Sequence, residues 1–248
     1  MHVARSPTRS APRVLGRVPF VLGQAGLVLL GVLVYFRVRG LTQGSAHLAR
    51  EHAHDIVRLE RSLGIHVEPW LQDLVAPSET VQTVANWIYI WGHWPFIIVT
   101  MVWLAWHHRE VFLRLRDAML VSGTLGMAIF VGYPVAPPRL ANLGLVDTVT
   151  EQSGAYRLLQ PPAFVNQYAA MPSLHAGWDL LVGMAIFTAA SSVLLKVIGV
   201  AMPALMACAV VATANHYLVD VVSGIALVLV GHAVALWLEK RRARRRGA

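Results

Sequence analysis

Six stretches of the chain are apolar nearly throughout: roughly residues 18–36, 84–106, 117–133, 172–190, 197–213 and 217–238. A helix crossing a bilayer core needs about 20 residues, with about 17 as the lower limit. The pattern predicts an all-α fold, an integral membrane bundle of six transmembrane helices. Between the first two stretches the pattern changes. In "HLAREHAHDIVRLERSLGIHVEPWLQDLV" the apolar positions Ala46, Ala49, Ala53, Ile56, Val57 and Leu63 recur at helical spacing, with charges between them. This predicts an amphipathic helix at the outer face, between spans one and two. The chain then divides into a basic cytoplasmic N-terminus (1–17), a six-span domain (18–238) and a basic cytoplasmic tail (239–248).

Composition agrees with the pattern: 56% of the residues are hydrophobic and 14% charged, whereas soluble domains carry about a quarter charged. The net charge of +8 could signal nucleic acid, but its distribution excludes that partner, because the positives cluster beside apolar runs. With the N-terminus inside, 14 of the 21 Lys and Arg fall on the cytoplasmic side, including Arg109, Arg114, Arg116, Lys196 and the tail from Lys240 to Arg246. Only 7, among them Arg50, Arg58, Arg61 and Arg139, fall outside. That bias places both termini in the cytoplasm of a multi-pass cell-membrane protein. The N-terminus mimics a signal peptide, but its apolar run is long and ends in Arg37 and Arg39, so it reads as an uncleaved span. The single cysteine, Cys208, excludes an intrachain disulfide and reads as packing. His47, His52 and His54 lack an acidic or cysteine cluster and read as a solvated polar face.

The spans also serve as rulers. His175 opens the fourth and His216 precedes the sixth, 41 residues later. Two crossings at about 1.5 Å per residue plus a turn fit that separation, so both histidines reach the same outer face. "GYPVAPPRL" ends the third span there and supplies Arg139, which follows two stiffening prolines. His216 and Asp220 stand four apart on one helix side. Asp220 either orients the ring, as in nucleophile–carboxylate pairs, or serves as an N-terminal helix charge. Asp179 stands equally spaced from His175. It either orients that ring, lines a water-filled cavity or bonds between helices. Pro172 and Ser173 make a helix start whose free N–H groups favour an anion. Two histidines, a carboxylate and an arginine at one face suit phosphoryl transfer on a lipid phosphate. One ring attacks phosphorus, the other protonates the leaving oxygen, and the arginine holds the charge. The alternatives are a proton-coupled transporter with a His/Asp relay and a non-catalytic lipid-binding protein.

"APPR", "MPSLHAGW", "NHYLVD" and "YIWGHWP", with six spans, together resemble the type 2 phosphatidic acid phosphatase superfamily. Within it they look like the branch of inositol-phosphorylceramide synthases and their bacterial relatives. The resemblance runs from about Ala46 to the sixth span. It implies that His216 forms a phosphohistidine, that Asp220 orients it and that His175 acts as general acid, then base. It also implies that Arg139 binds phosphate and that neither metal nor cofactor takes part. Two cations common in the superfamily are replaced, by Gly132 and Val210, which fits the phosphotransferase-like branch. Asn166, Tyr168, Ser173 and Asn215 are candidates for the missing phosphate contacts. His93 and Tyr89, four apart in span two, either line the headgroup pocket, to which Asp179 could add a contact, or are interfacial packing.

Overall fold

The computed structural model describes residues 46–148 and 167–246, with scattered positions between 19 and 31. Most of the first predicted span, and Asn166, lie outside the described residues. The described fold is helical: α1 (Ala46–Ser62), α2 (Glu68–Val75), α3 (Glu79–Trp91), α4 (Trp94–His107), α5 (Arg109–Gly132), α6 (Leu174–Ala189), α7 (Val193–Ala212) and α8 (Leu218–Arg246). A single 3-10 turn at Pro138–Leu140 and an isolated parallel bridge between Val135 and Ala169 supplement them.

The second predicted span, 84–106, is not one helix. It breaks between α3 and α4 with a bend of 42°. Pro95 sits in the first turn of α4. It has no N–H to give, and its ring would collide with the carbonyl four residues back, so α3 ends at Trp91. The break leaves His93 in a non-helical conformation, with its ring buried. α8 continues through the basic residues of the tail to Arg246.

By length and hydropathy, three helices can cross a membrane (α5, α7 and α8), or four if the bent pair counts as one span. The expected count of six is therefore not reached among the described residues. α6 is apolar but has only 16 residues, about 24 Å of helix. The crossing helices turn much of their apolar surface outward. Only 28% of the apolar window of α7 is buried, and Val193, Leu194, Val197 and Val200 are exposed. Contiguous apolar surface of that kind belongs in lipid rather than water.

The helices alternate in direction. α5 ends, α6 begins, α7 ends and α8 begins at one end of the bundle. Leu104, Phe112, Leu115, Leu181, Val182 and Val228 pack between α4, α5, α6 and α8 below it. At the far end Arg114 makes a two-pronged pair with Glu239 (2.8 and 2.9 Å). Asp117 there meets both Arg116 and Arg242. Arg114–Glu239 and Asp117–Arg242 clamp α5 to α8.

α1 covers the stretch read as amphipathic. Ala49, Ala53, Ile56 and Val57 are buried as expected, while Leu63 lies beyond the helix and is exposed. The apolar face packs on Val135, Ala136, Ala141, Ala170 and Tyr217. It therefore covers the loops at the upper end of the bundle. His52 accepts no solvated role: it stacks on Tyr133 and lies 2.8 Å from the Pro134 carbonyl.

Candidate active site

The starts of α6 and α8 meet face to face. Ser173 caps α6, its hydroxyl oxygen accepting from the Ala176 N–H, and its own N–H donates to the Asp220 carbonyl (2.9 Å). Such an approach requires glycine on both sides. A Cβ on Gly224 would stand 2.2 Å from the Ser173 carbonyl oxygen, and one on Gly177 would stand 2.8 Å from that of Gly224. Sequence inspection passed over both glycines.

This packing brings His175 and His216 together, with ring centroids 5.8 Å apart. His216 Nδ1 lies 2.8 Å from the Ala170 carbonyl oxygen and 3.4 Å from Asp220 Oδ2. Both neighbours are acceptors, so Nδ1 carries the proton and Nε2 keeps its lone pair. The nearest orienting group is thus a backbone carbonyl, with Asp220 behind it. Asp220 Oδ2 also accepts from the Tyr217 N–H (2.9 Å), and Asp220 is fully buried.

His175 Nε2 is buried without a hydrogen-bond partner. Its ring stacks on Tyr89 (4.8 Å) and lies against His93 (4.3 Å). The two residues picked from span two therefore both reach the candidate acid. Asp179 does not orient His175. Its Oδ1 lies 2.7 Å from His93 Nδ1, and both side chains are buried. A carboxylate near the mouth of an apolar helix is accounted for by this interhelical pair, which the break before Pro95 makes possible.

Arg139 is held from two sides. Its Nε donates to Asn215 Oδ1 (2.9 Å), and its Nη1 stands 3.5 Å from Asp147 Oδ2. Its backbone N–H donates to the Ala214 carbonyl. The Asn215 amide N–H group turns to Thr213. Asn215 thus fixes Arg139 beside the chain leading into His216. Tyr168 contributes its carbonyl, which accepts from the Val135 N–H, and its side chain packs on the cluster beneath α1. The fully buried Tyr217 donates its hydroxyl proton to the Ala136 carbonyl, tying the Arg139 loop to α8.

A second set of groups escaped the sequence reading. Glu60 and Glu68 are fully buried. Glu68 Oε1 accepts from the Leu218 N–H (2.7 Å), and Glu60 Oε1 accepts from the Val219 N–H (2.8 Å). With Asp220 they satisfy the orphan donors of the first turn of α8 and complement its dipole. Burial pushes the Glu60 carboxyl up to about 8, and neighbouring Glu68 adds to the rise. One signal was available: Glu60 lies on the stripe of Ala53, Ile56 and Val57, where an apolar residue is due.

No curated protein and no solved structure gives a significant match. A family model does, over residues 54–234, the stretch that carries His93, Arg139, His175, Asp179, His216 and Asp220. The chain therefore belongs to the PAP2 superfamily, which supports a phosphatase-type activity on phosphate esters in a membrane protein.

Proposed function

We propose that the protein is a lipid phosphatase or phosphotransferase of the inositol-phosphorylceramide synthase-like branch, working through a phosphohistidine on His216. The observation that carries this reading is the pairing of a tautomer-fixed His216 with a His175 ring 5.8 Å away. The Nε2 lone pair of His216 attacks phosphorus while the bond to the leaving alcohol oxygen breaks. His175, whose protonated form the bound phosphate anion favours, gives that oxygen its proton. Water or an acceptor alcohol then attacks the phosphohistidine and passes its proton to His175 as the P–N bond breaks. Arg139, aimed by Asn215, offsets the charge on the phosphoryl oxygens. The substrate is a lipid phosphate in the outer leaflet, met at the extracytoplasmic end of a six-span bundle with both termini in the cytoplasm. A proton-relay transporter needs titratable groups through the depth of the bundle, whereas His93, His175 and His216 gather at one end.

The test is turnover by purified protein on a panel of lipid phosphates, following free phosphate against new phosphodiester lipid. His216→Ala should abolish turnover, and His175→Ala should lower it by about 10²–10⁴-fold. Turnover that survives His216→Ala would overturn the reading.

A further inference from the structure

Glu60, His66 and Glu68 form a cluster that the phosphoryl chemistry does not use. Each carboxylate gives one oxygen to the first turn of α8 and turns the other toward His66. His66 Nδ1 lies 2.8 Å from Glu68 Oε2 and 3.5 Å from Glu60 Oε2. One ligand atom from each of the three residues lies within 4.8 Å of the others. Glu68 Oε2 is buried and accepts no hydrogen bond despite that close ring nitrogen. Two facing carboxylates sealed from water call for a positive partner. The imidazole is 15% exposed, so the cluster has an approach from solvent.

We propose that Glu60, His66 and Glu68 bind one divalent transition-metal cation, zinc foremost. Zinc takes imidazole nitrogen and carboxylate oxygen at about 2.0–2.2 Å. The mixed donor set disfavours calcium and magnesium, which prefer oxygen alone. The cation is structural. It joins the α1–α2 connection to the start of α8, two residues beyond His216, and neutralises the carboxylates that cap that helix. It takes no step in phosphoryl transfer.

The experiment uses the full chain, purified in detergent on a non-histidine tag, stripped with chelator and reloaded with zinc, manganese or calcium. Bound metal is counted after desalting, and the thermal midpoint is followed with and without each ion. Neither readout depends on turnover, so the outcome is separate from that of the proposed activity. One equivalent of zinc and a raised midpoint are expected for the native sequence, with both lost in His66→Ala. Glu68→Gln, which keeps an oxygen for the Leu218 N–H, should weaken binding at least tenfold. A control lacking the exposed His47 and His54 should retain the metal. Absence of retained zinc in the native protein would overturn the proposal. So would equal retention by a folded His66→Ala variant, which would place the metal elsewhere.

Discussion

Asp179 is a costly residue for an apolar helix, and its partner decides its meaning. Spacing offered His175, one turn away, but left a water-filled cavity or a bond between helices equally open. The structure instead supplies His93, 86 positions distant, at 2.7 Å. That pairing was illegible, because it depends on how the break before Pro95 rotates one ring inward. The meeting of His175 and His216 was legible, since each stands at a helix start at a countable distance from the other. Removing one member of a buried polar pair strands its partner. His93→Ala and Asp179→Ala should therefore each lower stability, while the double variant loses less than the sum. The coupling should be about 0.5–3 kcal/mol, read from denaturation of detergent-solubilised protein. Strict additivity would mean that the 2.7 Å contact contributes nothing.

The contact between α6 and α8 sets the distance between the two histidines, so the site is a property of two helix starts rather than of one motif. The helices themselves were readable from hydropathy, to within a few residues for α6, α7 and the start of α8, which runs eight residues beyond the predicted end at 238. Their close approach was not, because glycine in an apolar run has no periodic signature. Gly224 lies against the Ser173 backbone, and backbone cannot move aside as a flexible side chain can. Gly224→Ala should push α8 away from α6 and cost about 1–3 kcal/mol as overpacking. Because a displacement of about 1 Å can reduce a rate by about 10²-fold, kcat should fall well beyond what the lost stability explains. Gly132→Ala is the matched control, since a Cβ there meets nothing within 4 Å. It should leave turnover near the starting value. Similar kcat for the two variants would separate the glycine contact from catalysis.

For the whole molecule, connectivity says more than helix length. α3 with α4, then α5, α6, α7 and α8, run alternately down and up. α6 is bound to this pattern despite its 16 residues, because α5 and α7 both finish at the end where α6 and α8 start. Adding α6 to the four candidate spans gives the five passes of the proposed six-span topology, in which the first predicted apolar stretch is the sixth and both termini lie on one side. Charge assigns that side. Arg109, Arg114, Arg116, Lys196 and the basic end of α8 lie at the end away from His175 and His216, whereas Arg50, Arg58, Arg61 and Arg139 lie near the site. Positive residues are retained in the cytoplasm, so the site should face outward. Single cysteines in a Cys208→Ser background test this. Ser62 and Ala243 are both exposed, at opposite ends of the bundle. In intact cells a membrane-impermeant maleimide should label Ser62→Cys at once and Ala243→Cys only after permeabilisation. The reverse pattern would place the histidines at the cytoplasmic face and change which leaflet supplies the lipid. Labelling of both in intact cells would mean an even number of crossings between them, contrary to the alternation of helices.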